Sequence, residues 1–162
     1  MRKGGEEDRL NARRITGMAD EENGVADAEA KHICLQAWKS VERNGTPEGE
    51  IAIAEALTYL ALAPKSNAVY AAYKNAMAAA AKTGSEPPPK HILNAPTSLM
   101  KDIGYGDGYA YDHDAEDAFS GANYFPDGMK RGVYYNPVDR GFERDLKKRV
   151  DYFAKLRAKR NG

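Results

Sequence analysis

Apolar side chains at Ile51, Ile53, Ala54, Ala56, Leu57, Leu60, Ala61, Leu62 and Ala63 cover nearly the whole circumference of a helix. A helix that is apolar on every side has to be surrounded by other elements, so this run predicts a central helix in a packed domain. Its ends are marked. Thr46-Pro47 supplies a capping hydroxyl and a proline whose missing N–H costs nothing in a first turn, and Pro64 breaks the run.

Helices are signalled on both sides. Leu10, Ile15, Met18 and Ala19 lie among Arg9, Arg13, Arg14, Glu21 and Glu22, and Asn23-Gly24 closes this first amphipathic stretch. From a cap at Asp27, Ala30, Ile33, Cys34, Ala37, Trp38 and Val41 recur at three- and four-residue spacing until Asn44-Gly45, with the buried stripe centred on Trp38. Ser66 caps the helix after Pro64, whose apolar face is Val69, Ala72, Tyr73, Ala76, Met77 and Ala80 and whose end is Gly84. Pro87-Pro88-Pro89 is an extended connector that cannot join a sheet, and a short helix runs from Ala95-Pro96 to Ile103. In the last helix Asp139 is the cap, and Phe142, Leu146, Val150, Phe153 and Leu156 keep helical spacing. Between Tyr105 and Pro137 lie Tyr105, Tyr109, Tyr111, Phe119, Tyr124, Phe125, Tyr134 and Tyr135 among many glycines. That segment predicts an ordered, irregular arm pinned by its aromatics and laid across the bundle, with room for one short β-hairpin. The expected fold is mainly α, a bundle of five to six helices.

The chain has 162 residues, enough for one domain with a core or a domain plus an extension. Its 24 Lys+Arg balance 24 Asp+Glu, so no global basic field points to nucleic acid, and 42% hydrophobic residues are too many for wholesale disorder. Cys34 is a lone cysteine, which excludes an internal disulfide. The opening MRKGGEEDRLNARR is charged where a signal peptide is apolar, and no run approaches the roughly 18 apolar residues of a membrane span. A cytoplasmic protein with no membrane partner is expected.

Few residues carry chemistry. The only Lys-Thr pair, Lys82-Thr83, has Ala76 and Ala81 where a phosphate-binding loop needs glycines. Met18-Ala19-Asp20-Glu21 resembles a magnesium-holding Asp-Glu but lacks the apolar strand that would carry it. His113, Asp114, Glu116 and Asp117, with His91, are hard ligands for a divalent metal. They have no second histidine at i+3 or i+4 and no calcium-loop pattern, so a solvated turn is preferred. Lys65 beside Ser66 has the composition of an activated nucleophile, but a capping serine after a proline break explains Ser66 fully. From Asp139 onward nine Lys and Arg face four acids. Arg144, Lys147, Lys148 and Arg149 are the candidate nucleic-acid contacts on that helix, against the simpler reading of a solvated face.

TPEGEIAIAEALTYLALAPKSNAVYAAY (46–73) strongly resembles the C-terminal region of the replication-associated recombination protein A family, also called MgsA, bacterial relatives of the Werner-helicase-interacting ATPase. Arg13-Arg14 with MADEENGVADAEA (18–30), NAPTSLMKDIGYGDGY (94–109), NYFPDGM (123–129) and YYNPVDRGFE (134–143) extend the likeness over roughly residues 12–145. The chain departs from the family at Asp20-Glu21-Glu22-Asn23-Gly24, where a Ser-Glu-Asp-Ile-Gly-like run is usual, and before Arg13.

The resemblance implies a piece of a longer AAA+ ATPase: residues 1–16 as the tail of the lid, and 17–162 as a C-terminal helical oligomerisation domain. It implies that ATP and magnesium belong to an upstream module, with no catalytic, metal or cofactor residue in this chain. The motif residues that transfer are structural: Pro64, Lys65, Ser66, Asn67, Asn94, Pro96, Thr97, Tyr135, Pro137 and Arg140. Self-association, as a tetramer, is the implied role, with Ala72, Tyr73, Ala76, Met77, Ala80, Tyr124 and Phe125 as candidate interface. DNA, and replication proteins such as single-stranded DNA-binding protein, are the implied partners of the full-length protein, which the resemblance places at the bacterial nucleoid. The alternative function is a nucleic-acid-contacting module through the basic terminal helix.

Overall fold

The computed structural model describes residues 7–161, so part of the expected lid tail, residues 1–6, falls outside the described residues. Those residues form six α-helices and no strand: α1 Asp8–Met18, α2 Ala28–Asn44, α3 Glu48–Leu62, α4 Ala68–Thr83, α5 Ser98–Asp102 and α6 Glu143–Asn161. The mainly α expectation holds, but there is no hairpin among the described residues. Between Tyr105 and Phe119 the backbone is spent on local turns (Tyr109 N to Gly106 O, Asp114 N to Tyr111 O, Ala118 N to Ala115 O). Each closes within three residues and leaves no extended run for a ladder.

The chain divides into two compact units, one running up to Ala76 and including Tyr134–Arg149, the other comprising Met77–Val133 and the chain from Val150. The core of the first is Ile15, Ala19, Ala30, Cys34, Ala37, Ile53, Ala56 and Leu60, contributed by α1 to α3 and the turn after α1. Small side chains on α2 explain the close packing, because Ala30, Cys34 and Ala37 present almost no bulk to α3. Gly49 carries this furthest: a Cβ there would stand 2.8 Å from the Val41 Cα. Burial pushes the Cys34 thiol up from its ordinary value, and Asp20 adds to the effect. Asp27 caps α2 as expected, accepting from the Glu29 and Ala30 amides at 3.1 and 3.2 Å.

Three expectations are corrected. Trp38 is only half-buried and its indole N–H reaches Glu42 Oε1 on the same helix, 2.9 Å away, so the buried stripe runs through the small residues instead. The helix α3 is packed on one side only, with Ile51 66% and Leu62 83% exposed. And α6 starts at Glu143, so Asp139 is not its cap; the Asp139 carboxylate pairs with Lys147 Nζ at 2.7 Å.

The second unit is built differently. Apart from Pro89, its side chains are not deeply buried, and it is held by aromatic and polar contacts. The Phe119 and Phe153 rings lie 5.0 Å apart, Asn161 Nδ2 donates to Gly121 O at 3.2 Å, and Lys90 Nζ donates to Ile103 O at 3.0 Å. Thr97 caps the short α5, its hydroxyl accepting from Met100 N at 3.2 Å.

Two helical glycines, Gly17 in α1 and Gly49 in α3, yield a contrast in sign. Alanine in place of a helical glycine gains about 1 kcal/mol of helix propensity. At Gly17, where a Cβ meets nothing within 4 Å, Gly17→Ala should realise most of that gain. At Gly49 the backbone clash outweighs it, so Gly49→Ala should lose about 2 kcal/mol. Denaturant unfolding of the two variants checks the opposite signs.

Candidate functional site

The 64–67 break and the 134–143 segment meet in the first unit at a buried carboxylate. Glu143 is 0% exposed. Its Oε2 accepts from Ser66 Oγ at 2.8 Å and from the Val138 amide at 2.9 Å, and its Oε1 accepts from the Tyr135 hydroxyl at 3.0 Å. A carboxylate taken from water needs such donors on both oxygens, and the start of α6 adds the favourable end of a helix dipole. Ser66 serves both partners: its oxygen also accepts from Ala68 N at 3.2 Å, which is the expected cap of α4.

The segment bearing this acid is fastened by backbone. Phe142 N donates to Ala26 O at 2.9 Å. Gly141, at φ +50°, runs so close that a Cβ would collide with the same Ala26 carbonyl. Asn23 Nδ2 donates to Pro64 O at 2.9 Å, and Ser66 N donates to Glu22 O at 2.6 Å, so the turn after α1 is tied to the break before α4. Burial and then the neighbouring carboxylate push the Tyr135 hydroxyl up to about 12.

Of the residues singled out from the sequence, Pro64, Lys65, Ser66, Asn67, Tyr135 and Arg140 do come together. Lys65, Ser66, Asn67 and Arg140 line a groove of about 390 Å³ with Glu21 and Glu22. Pro137 sits in the same segment, between Tyr135 and Val138. Asn94, Pro96 and Thr97 belong to the second unit, around the start of α5. The sequence reading missed Glu143, Asn23 and Gly141, although Gly141 and Glu143 stand inside a motif that carries the family likeness and Asn23 stands where the chain departs from it. One of two acids in the first turn of a basic helix, and an Asn-Gly pair that reads as a stop, hide their long-range partners.

The geometry does not suit a Ser–Lys nucleophile. The Ser66 hydroxyl is committed to Glu143, while Lys65 Nζ donates to Leu60 O and lies 4.0 Å from Glu22. Among the described residues no group of three or more His, Cys, Asp or Glu is placed to hold a metal, and the His113 ring lies tilted against Tyr111, centroids 5.0 Å apart. Lys82-Thr83 does not fit a triphosphate: Thr83 closes α4 with its hydroxyl on Ala79 O at 3.1 Å. On α6, Lys148 pairs with Asp145 at 2.9 Å as Lys147 does with Asp139, Arg149 lies 5.8 Å over the Phe142 ring, and exposed Arg144 reaches Gly141 O. Of the candidate interface residues, Tyr73, Met77, Ala80 and Tyr124 are exposed, and Ala72, Ala76 and Phe125 are half-buried. No helix among the described residues is long and apolar enough to cross a membrane.

Removing the carboxylate strands three donors, so Glu143→Ala should cost about 3 kcal/mol or more in denaturant unfolding. The raised Tyr135 hydroxyl stabilises the fold below pH 10 and that contribution is lost as pH rises from 10 to about 12. Tyr135→Phe should therefore lower stability at neutral pH and flatten its alkaline decline. Part of the decline should remain, because burial and Asp27 also push Tyr59 up. Circular dichroism across an alkaline titration of both proteins checks this.

The family described as MgsA AAA+ ATPase C terminal matches residues 1–154. Replication-associated recombination protein A of Coxiella burnetii is 47% identical over 146 residues, covering 90% of this chain and 33% of that protein. The proteins of the same name from Escherichia coli strain K12 and Bacillus subtilis are 44% and 36% identical, covering 88% and 89% of this chain and 32% and 34% of their own length. The chain thus spans about a third of the curated relatives it matches. The buried tie is formed by the parts of the sequence that carry this likeness, and the chain belongs to the MgsA AAA+ ATPase C-terminal family.

Proposed function

We propose that this region is an oligomerisation module that joins copies of a AAA+ ATPase, four in the assembled particle, acting in replication and recombination. The observation that carries the reading is apolar surface on two successive helices. Ile51 and Leu62 stand out from α3, and Val69, Tyr70, Tyr73 and Met77 form a stripe along α4, Tyr73 being 63% exposed. Beside Leu62, a groove of about 620 Å³ is lined by Ile33, Tyr59, Ala63 and Pro64. Large apolar side chains left exposed on successive helices favour a protein partner. Burying about 800 Å² per partner is the scale of a stable interface. A second copy of the same stripe is a chemically matched cover for it.

ATP and magnesium then act in the part of the protein outside this chain, and the role of these residues is to hold protomers at a fixed geometry. The replication and recombination setting is supported by the names of the relatives. A DNA-contacting role for α6 is the weaker reading, because Lys147 and Lys148 already face Asp139 and Asp145.

Light scattering after size exclusion should give about four times 17.8 kDa at micromolar protein and at both low and high salt. Leu62→Glu and Tyr73→Glu, both at exposed sites, should shift the mass toward the monomer without loss of helicity. A wild-type monomer at every concentration overturns the proposal for this region. Salt-sensitive binding of DNA by that monomer would favour the basic helix.

A further inference from the structure

Two grooves on the α2–α3 face of the first unit have Ile33 and Glu55 in common. The one beside Leu62, of about 620 Å³, is continued by a second of about 380 Å³ that follows α2 from Glu29 to Ser40. Over those residues a helix rises about 16 Å, so the trough is long enough for about three turns of a docked helix. Apolar side chains line it, Ile33, Ala52, Tyr59 and Leu62 among them, and its charges have one sign: Asp27, Glu29 and Glu55 stand along it with no lysine or arginine. Asp27 is committed to the cap of α2 and to the Tyr59 hydroxyl, which donates to it at 3.0 Å. Glu55, which lines both grooves, is exposed and among the described residues stands in no ion pair, and the Glu29 carboxylate meets the His32 ring at 3.5 Å. An apolar trough flanked by carboxylates of this kind suits a cationic segment that carries an aromatic side chain.

The chain's own α6 has that combination. Tyr152 is 50% exposed, and Lys155 and Lys159 follow it at the spacing that puts all three on one face of the helix. Both lysines are exposed, and among the described residues neither is in an ion pair. We propose that the terminal helix of a neighbouring copy lies in this trough, with Tyr152 against Tyr59 and Leu62 and with Lys155 and Lys159 facing the carboxylates of Glu55 and Glu29. This contact rests on the self-association proposed above and names the surfaces it uses. In a two-fold arrangement each copy gives its helix and receives its neighbour's, so one interface fills two troughs. The ring and the lysine stems cover the apolar lining, while the ammonium groups stay at the rim beside the acids.

The test measures self-association of the whole chain by sedimentation equilibrium and maps the contact by carbodiimide coupling of carboxylates to amines in a mixture of isotope-labelled and unlabelled protein. Glu55→Lys and Lys155→Glu, both at exposed sites, should each weaken association about tenfold with unchanged circular dichroism, and a chain carrying both should recover most of the loss. Tyr152→Ser should weaken association by a similar factor. Coupling of Glu55 or Glu29 to Lys155 or Lys159 is expected between labelled and unlabelled copies. A wild type that associates while both charge reversals leave its association constant unchanged, or while the chain carrying both gains nothing over either alone, overturns this contact and leaves self-association standing. Coupling confined within single copies does the same. A wild-type monomer at every concentration overturns both.

Discussion

A carboxylate with no exposure to solvent is the constraint on which the first unit depends. Glu143 stands far in sequence from Ser66, and a bond between them closes a long loop whose ordering has to be compensated. The compensation is concentrated: three donors on two carboxylate oxygens, a backbone bond from Phe142 to Ala26, and a glycine thin enough to lie against that carbonyl. Because unpaired groups there would be expensive, the arrangement is all or nothing. It sets where α4 departs and where α6 begins.

Elsewhere in that unit the chain relies on closeness instead of bulk. The core has few large side chains, Ile15, Ile53 and Leu60 among alanines and Cys34. Alanine faces bury little apolar area each, so the packing works by bringing backbones together and leaves larger residues such as Leu62 and Tyr73 pointing outward. A small-residue interior and an apolar exterior on α3 and α4 are two sides of one allocation. They agree with a domain completed by association, while the second unit, with its stacked rings and guanidiniums, is organised by polar contacts.

Much of the fold was legible because its signals are local. Asp27, Gly45, Pro64 and Ser66 end or begin helices for reasons contained within four residues, and they do so in the structure. The errors arose where a long-range contact outranked a local one. Asp139 has the chemistry of a cap, yet the bond of Phe142 to Ala26 and the burial of Glu143 set the helix start four residues later. Trp38 dominates any hydrophobicity count, yet the seam is filled by Ala30, Cys34 and Ala37 while the indole N–H bonds Glu42 on its own helix. The candidate site was half visible: Pro64 to Asn67 and Tyr135 to Arg140 were marked by likeness to a family, but periodicity cannot show that a glutamate on a basic helix faces inward.

The Cys34 thiol, sealed between α2 and α3 with its ionisation suppressed, reacts slowly while those helices stay together. Modification by a thiol reagent therefore has to wait for the seam to open, and in the limit of fast reclosing its rate measures the free energy of that opening. Being the chain's sole cysteine, it is a built-in clock for the motion of the α1–α3 core, readable at native conditions without a label placed by design.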